Sequence, residues 1–376
     1  MNYFPTYLAM GLSFCNRKEE LKRVIKDIED GAPILLISPR RYGKTSLAVR
    51  ALEKTKLPYA HVDLYKAFSE EDVARFILTG VGFLLGQLET TPKKLLGLAG
   101  DFFSRLNIQV GYHGTSVALS FKDKNPQNLT EILLATLEKL NELALEKNKK
   151  VILFLDEFQM VGEVSIEHAI EAVLREVAQK SQGLVFIFSG SNRHLMEQMF
   201  NDKKRPFYKM CDQISLERIA EQEYLPQIQK AAVEKWGQEL ESGLISKILM
   251  LTERHPYYVN KLCSMLWQNE ISPTEKSIET TWIGLILENK SITERELSLL
   301  PLSQRKLLLF IAEQGKMENA FTRESMEGMN LSQGGVQNAL KNLLKSDYVY
   351  KDKKGHYYIL DPLLKSTLSM ELALGG

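Results

Sequence analysis

The sequence predicts an α/β fold built on a parallel sheet, followed by an all-helical segment and a C-terminal winged helix-turn-helix, and three observations carry that expectation. Ile34-Leu35-Leu36-Ile37, Val151-Ile152-Leu153-Phe154-Leu155 and Leu184-Val185-Phe186-Ile187-Phe188 are apolar without interruption. Central parallel strands, covered on both faces, have that texture. Between such runs the apolar residues recur at helical spacing, which gives a strand-helix alternation. Past Leu216 the strand-like runs stop, the pattern stays helical from Glu221 to about Asn289, and after Pro301 three short helices and a hairpin close the chain.

Each element follows from its own residues. Arg17 to Ile28 sets Leu21, Val24, Ile25 and Ile28 on one helical face and halts at Asp30-Gly31. The strand Ile34 to Ile37 passes through a basic turn into a helix-forming segment. Tyr59 to Leu64 reads as a second strand and Val73 to Leu88 as an amphipathic helix. Residues 107–121 alternate with period two around His113-Gly114, as a hairpin inserted into the rhythm. The helix Leu129 to Leu145 ends in Lys147-Asn148-Lys149-Lys150, positive charge where the helix dipole is negative. The strands Val151 to Leu155, Leu184 to Phe188 and Asp212 to Leu216 follow. In the last part Leu302 to Ile311, Thr322 to Met329 and Ser332 to Lys345 read as helices. Tyr348-Val349-Tyr350 and Tyr357-Tyr358-Ile359-Leu360 then pair across Asp352-Lys353-Lys354-Gly355, which completes the parts of a winged helix. These changes of texture place domains at 1–217, 218–299 and 300–376.

Composition bounds the function. The chain has 376 residues, 44% of them hydrophobic, with 48 basic against 47 acidic side chains and a formal net charge of +1. No global field draws it to nucleic acid or to a membrane, so any nucleic-acid contact must be a local patch. Cys15, Cys211 and Cys263 form neither a metal-ligand spacing nor a disulfide framework, which suits a reducing compartment. The apolar start Met1 to Leu12 lacks a basic leader, and no later run reaches the roughly 18 to 20 apolar residues of a membrane span. A soluble, cytoplasmic protein without a membrane partner is expected. His61, His113, His168, His194 and His356 share no ligand spacing and are read as structural or surface residues, with no zinc site.

Two motifs carry chemistry. Ser38-Pro39-Arg40-Arg41-Tyr42-Gly43-Lys44-Thr45 lies between a buried strand and a helix. A strand that turns abruptly into a helix leaves unpaired backbone N–H groups, which together with the helix dipole bind phosphate. Lys44 would reach the β- and γ-phosphates, and Thr45 would ligate Mg²⁺. Ser38 stands where such loops usually open with glycine, and Pro39 keeps it extended, so no positive φ is required there. The second motif, Asp156-Glu157, closes an apolar strand, and ligands of open α/β sheets sit beyond the carboxyl ends of strands. Asp156 would hold Mg²⁺ through its water shell, and Glu157 would take a proton from the attacking water. Beyond the strand Leu184 to Phe188, Ser191 and Asn192 each serve either as a helix N-cap or as a contact to the γ-phosphate or the lytic water.

These residues resemble the archaeal-type ATPases of the AAA+ class, close to signal-transduction ATPases with numerous domains and more distantly to origin-recognition ATPases. The resemblance runs over roughly the whole chain. It rests on Phe14-Cys15-Asn16-Arg17 with Glu20, Pro39-Arg40-Arg41-Tyr42-Gly43-Lys44-Thr45-Ser46-Leu47 as Walker A, Leu155-Asp156-Glu157 as Walker B, Ser189-Gly190-Ser191, His255-Pro256-Tyr257-Tyr258 and Asp361-Pro362-Leu363. It implies a P-loop core with a five-stranded parallel sheet, an all-helical lid, a C-terminal winged helix, and ATP or ADP with Mg²⁺ as ligands. By the same resemblance Asn16 and Arg17 would lie beside the adenine, and His255-Pro256 would open a lid helix over the nucleotide. Glu253-Arg254 stand where the family usually has a glycine pair. The segment Arg205-Pro206-Phe207-Tyr208-Lys209-Met210 replaces the usual Pro-Leu-Tyr and arginine, which leaves Arg205 or Lys209 as the candidate for an arginine finger across a subunit boundary, against a solvated basic turn. Arg40 and Arg41 either contact nucleotide, lid or neighbour, or are simply exposed.

The winged helix has a basic edge. Lys341, Lys345, Lys351, Lys353 and Lys354 suit phosphate contacts, and Gln333, Gln337 and Asn338 are residue types that read base edges. Glu324, Glu327, Asp347 and Asp352 dilute that field. Two readings stand: an ATP-hydrolysing switch or motor acting on double-stranded DNA through 331–358 or on a partner, and a slow nucleotide-gated module whose winged helix contacts protein, including a second copy of the chain.

Overall fold

Strand β1, Ile34–Ile37, is buried at all its positions and forms the platform on which the rest is ordered. The computed structural model describes residues 3–9, 11–15, 17–89, 91, 94, 103–106, 108–113, 116–121, 128–352 and 354–375. They separate into two compact units, Arg17–Leu216 and a second made of residues 1–16 with 217–376.

In the first unit the elements run α1 (Lys18–Asp30), β1, α2 (Lys44–Thr55), β2 (Tyr59–Asp63), α3 (Glu70–Leu88), β3 (Ile108–His113), β4 (Ser116–Phe121), α4 (Leu129–Glu146), β5 (Val151–Asp156), α5 (Gln159–Val164), α6 (Ala169–Lys180), β6 (Leu184–Gly190), α7 (Arg193–Asn201) and β7 (Asp212–Ser215). Five of these strands form a sheet in the order β2-β5-β6-β1-β7, parallel throughout. The texture of each strand matches its place. Central β5 and β6 are buried at every position, whereas edge strand β2 alternates and leaves His61 and Asp63 exposed. The register aligns Ile37 with Gly190, Leu155 with Phe188 and Asp63 with Asp156, so the carboxyl ends of β1, β6, β5 and β2 lie along one rim.

Behind that rim Phe158, Phe188, Phe200 and Phe207 pack as one group, with ring centroids 4.7 to 5.9 Å apart. Burying each ring stabilises the fold by roughly 1.5 to 3 kcal/mol. Ser69 caps α3 by accepting from the Asp72 amide, which starts the helix earlier than apolar spacing alone predicts. The inserted hairpin is present as β3 and β4, antiparallel, with Ile108 and Leu119 buried in the same core. Asn107, Gly114 and Thr115 of the expected hairpin lie outside the described residues. Helices α5 and α6 are not singled out in the sequence reading, although Ile170, Val173, Leu174 and Val177 of α6 recur at helical spacing; α5 has only six residues.

On the β7 side of the sheet, the Arg23 guanidinium bonds the Asp212 carboxylate, with Nε to Oδ2 at 2.5 Å. Burial, a hydrogen bond with Asp212 and its charge push the neighbouring Asp27 carboxyl up to about 6. A raised acid binds its proton more tightly folded than unfolded, so it contributes stability that is full below its unfolded value near 4 and lost as pH rises through 6. Asp27→Asn should therefore melt higher than the parent at pH 7.5 and flatten the change of Tm between pH 5 and 7.5. A parent Tm that does not rise on acidification from 7.5 to 5 relative to this variant would contradict that.

The second unit begins with residues 3–15. Tyr3 and Phe4 are buried among helices α8 (Glu221–Trp236), α9 (Ser242–Leu251), α10 (Pro256–Leu266) and α11 (Glu275–Ser298), and Phe4 meets Trp267 edge-on at 4.7 Å. Helix α11 runs past Asn289 to Ser298, opened by a reciprocal capping box between Thr274 and Ser277. The winged helix follows as α12 (Leu302–Gln314), α13 (Arg323–Met329), α14 (Gln333–Lys345), β8 (Val349–Lys351) and β9 (Tyr357–Ile359), with its own core around Leu307, Ile311, Val336 and Leu343. A last helix, α15 (Pro362–Gly375), was not anticipated. Asp361 initiates it by accepting from the Leu363 and Leu364 amides through Oδ1. The other carboxylate oxygen of Asp361 takes the Tyr258 hydroxyl at 2.6 Å, which joins the His255-Pro256-Tyr257-Tyr258 and Asp361-Pro362-Leu363 motifs.

Glu253 and Arg254 both adopt positive φ, 47° and 59°, so the turn before His255 keeps a backbone region that glycine would take without strain. The Glu253 side chain offsets part of that cost: it is bonded by Arg218 and, at 2.6 Å, by Lys365. Among the described residues no helix is long and apolar enough to cross a membrane.

Candidate functional site

The loop between β1 and α2 owes its shape to two left-handed residues, Arg41 at φ 65° and Gly43 at φ 89°. Gly43 serves as the N-cap of α2, and a side chain there would point into open space rather than into the protein. The glycine is therefore required by backbone conformation and not by crowding. Tyr42 is buried, while Arg40, Arg41 and Gly43 are exposed at the loop surface. Arg17, which is 6% exposed at the start of α1, donates through Nη2 to the Tyr42 carbonyl at 3.3 Å and pairs through Nη1 with Glu20 at 3.1 Å. That side chain braces the loop. Asn16 lies outside the described residues.

Lys44 is 6% exposed, and its ammonium donates to Ser38 O at 2.9 Å, Ser38 Oγ at 3.3 Å and Pro39 O at 3.2 Å, three neutral oxygens of the same loop. Ser46 is buried one residue beyond Thr45. Thr45 Oγ1 donates to Asp156 Oδ2 at 2.8 Å, so the loop and the end of β5 meet although 111 residues separate them. Sheet order explains the meeting: β6 lies between β1 and β5, and its end carries Ser189 and Ser191 into the space between loop and acidic pair.

Asp156 collects donors. Ser189 Oγ and the Glu157 amide serve Oδ1, the latter at 3.0 Å, while His61 Nε2 lies 3.3 Å from Oδ2. Burial works to raise this carboxyl, and the bonds from His61, Ser189 and Thr45 outweigh it, holding Asp156 below the ordinary aspartate range. The Thr45 hydroxyl and the ionised Asp156 carboxylate, 2.8 Å apart, are hard oxygens of the kind that would suit Mg²⁺, the hydroxyl as a ligand and the carboxylate through the ion's water shell. The buried ammonium, the exposed backbone of the loop and this oxygen pair fit a Mg-nucleoside triphosphate.

Glu157 has φ 52°, a left-handed conformation that costs a non-glycine residue roughly 1 to 2 kcal/mol. It is held there by the Phe158 amide, which donates to Ser189 O at 2.7 Å. Its carboxylate Oε2 accepts from Ser191 Oγ at 2.7 Å and from the Gln159 amide nitrogen. Asn192, in turn, caps α7 by accepting from the Leu195 amide at 3.1 Å. The two alternatives left by the sequence are thus divided: Asn192 is the cap, and Ser191 points to the acidic pair.

Arg205 is turned inward. Its Nη2 and Nε bond the two carboxylate oxygens of Glu171 at 2.5 and 3.1 Å, and Glu171 has no exposed surface. Burial pushes the Glu171 carboxyl up, against Arg205 and His168. Lys209 is exposed nearby, its ammonium 5.5 Å from the Tyr208 ring. In the other unit His255 is buried and precedes Pro256, the first residue of α10.

Sequence reasoning missed three participants. The sequence reading makes His61 a structural or surface residue, gives Ser189 only within a motif and does not single out Gln159. A polar residue two places past Asp-Glu, ahead of an apolar stretch, was the one available hint for Gln159.

A family profile described as an ATPase domain predominantly from Archaea matches residues 14–262, and a probable winged helix domain matches residues 293–370. Among solved structures, the Walker-type ATPase of Pyrococcus abyssi superposes with a TM-score of 0.69 at 16% identity, covering 98% of this chain and 99% of its own. The ORC2 protein of Aeropyrum pernix, solved as ADPNP-ADP complexes, gives 0.56 at 14% identity over 99% and 98% of the two chains. No curated protein sequence matches. The likenesses at these identities concern the fold, whereas the profile covers more than half of the chain together with its loop and acidic pair. The chain belongs to the family of ATPase domains found predominantly in Archaea, joined to a winged helix domain.

Proposed function

We propose that the protein hydrolyses ATP with Mg²⁺ and works as a nucleotide-dependent switch or motor. The observation that carries this reading is the convergence of Thr45, Asp156, Glu157 and Ser191 at the mouth of the Lys44 loop. Lys44 exchanges its neutral loop oxygens for phosphate oxygens, with the amides of Gly43, Thr45 and Ser46 around them. Pro39 and Tyr42 shape the loop, and the exposed Arg40 and Arg41 contact phosphate or a neighbour. Thr45 and Asp156 hold Mg²⁺. The metal, when bound, neutralises charge on the β- and γ-phosphates. Glu157 accepts the proton of the attacking water, and Ser191 orients either that water or the γ-phosphate. Arg17 stabilises the loop beside the base-binding end, where family resemblance also puts Asn16, and His255-Pro256 begins the lid helix. A finger built on Arg205 would first have to break its pair with Glu171, so exposed Lys209 is the better placed of the two.

Nucleotide state is read out through the lid and the winged helix. Within their unit Tyr258 to Asp361 and Glu253 to Lys365 tie the lid to the last helix, so a displaced lid carries the winged helix with it. For the partner we favour duplex DNA. Gln333, Gln337, Asn338, Lys341, Asn342 and Lys345 form an exposed face of α14, beside Lys351 and Lys354 on the wing; Lys353 lies outside the described residues. Phosphate contacts from such lysines make affinity fall with salt. ATP turnover should rise on adding duplex DNA, and Lys341→Ala with Lys345→Ala should weaken DNA binding several-fold and reduce its salt dependence. DNA-indifferent turnover with tight nucleotide retention would favour the slow module whose winged helix contacts protein or a second copy of the chain.

A further inference from the structure

We propose that Gln159 is a positioning residue for Glu157, and that its amide, Ser191 and the Glu157 carboxylate act as one clamp on which turnover depends. The inference rests on the reading of Glu157 as the base. Gln159 opens α5 and is 4% exposed, so a primary amide with several hydrogen-bonding demands has been taken out of water. The site meets those demands. Its Nε2 donates to Glu157 Oε2 and lies 3.5 Å from Ser191 Oγ, while its Oε1 accepts from the Ser191 amide at 3.3 Å. Ser191 Oγ donates to the same Glu157 Oε2 at 2.7 Å.

Two donors therefore converge on one carboxylate oxygen and set the direction of the other. A free glutamate samples many rotamers, and a misplacement of the order of 1 Å in a reacting group can cost about a hundredfold in rate. The backbone makes the restraint more necessary, since Glu157 is left-handed and its side chain leaves from an unusual direction. Gly190 supplies an independent mark. Its φ is not positive, yet an added Cβ would lie 2.6 Å from Gln159 Oε1 and 2.5 Å from Met196 Sδ. Glycine is there for space, and that space is shared by the clamp amide and the Met196 side chain. The two donors come from the end of β6 and the start of α5, both buried and both fastened to the sheet, so the clamp orders Glu157 before nucleotide arrives.

The test compares Gln159→Leu, Gly190→Ala and Glu157→Gln with the parent in the full chain. Gln159→Leu keeps roughly the volume and removes donor and acceptor, and Gly190→Ala crowds the amide, together with Met196, without deleting it. Both should lower kcat about 10- to 100-fold with KM and ADP affinity within about twofold of the parent. In nucleotide-free protein, hydrogen exchange at the Ser191 amide should accelerate in Gln159→Leu because its acceptor is gone. Unchanged or raised kcat in both variants, with nucleotide affinity intact, would overturn the clamp, and so would unchanged Ser191 exchange. If Gln159→Leu unfolds, Gly190→Ala alone decides by the same split. Retained turnover in Glu157→Gln would instead sink the base reading and, with it, the dependence of turnover on the clamp; the Ser191 exchange result separates that failure from a wrong assignment of the hydrogen bonds.

Discussion

Glu157→Gln is expected to bind ATP as tightly as the parent while hydrolysing it about 10²- to 10⁴-fold more slowly, the contribution ordinarily made by a positioned general base. That range corresponds to roughly 3 to 5 kcal/mol of barrier. The substitution is nearly isosteric, and its amide oxygen can still accept from Ser191 Oγ, now 2.7 Å from the carboxylate, so the loop and Asp156 should keep their geometry. What disappears is the ability to take a proton. Phosphate release in steady state, set beside equilibrium binding of a fluorescent ATP analogue, separates the two effects. Unchanged turnover would remove Glu157 from the role, and equal loss of binding would mean that the carboxylate supports the loop rather than the chemistry.

Lys44→Ala should fail one step earlier, at nucleotide binding. A hydrogen bond to a charged group is worth about 1.5 to 3 kcal/mol, so the lost ammonium predicts an affinity about 10- to 150-fold weaker, with turnover lost at ordinary ATP concentrations. The nucleotide-free protein should be little affected. Lys44 is buried and bonded to the Ser38 and Pro39 oxygens of its own loop, so deletion removes a desolvated cation along with those bonds. Thermal unfolding makes the distinction, since a ligand at a hundred times its Kd stabilises the folded state by about 2.7 kcal/mol. At the same ATP concentration the variant should therefore show about half the parent's ATP-dependent rise in Tm or less. A variant that keeps the rise would place the triphosphate somewhere other than the Lys44 loop.

Much of the architecture could be read from local pattern. The apolar runs at Ile34, Val151 and Leu184 became central strands because continuous burial on both faces admits only such residues, and edge strand β2 alternates because one face of an edge meets water. The final helix from Pro362 escaped notice because its start depends on the Asp361 cap and its apolar side chains fill two separate cores. The residues 3–15 were unreadable for a similar reason, since the burial of Tyr3 and Phe4 is decided by helices more than two hundred residues away.

By itself the sequence determined the strand-helix alternation, the Lys44 loop and the acidic pair, because each depends on residues adjacent in the chain and on the conformations those residues can adopt. Only the tertiary structure decided which polar side chains join them. Parallel pairing of β2 with β5 brings His61 to Asp156 across 95 residues, and the place of β6 between β1 and β5 sets Ser191 and Gln159 against Glu157. The same packing turned Arg205 onto Glu171 and away from solvent. Sheet order and register are properties of contacts distant in sequence, and a side chain's partners follow from them rather than from its neighbours along the chain.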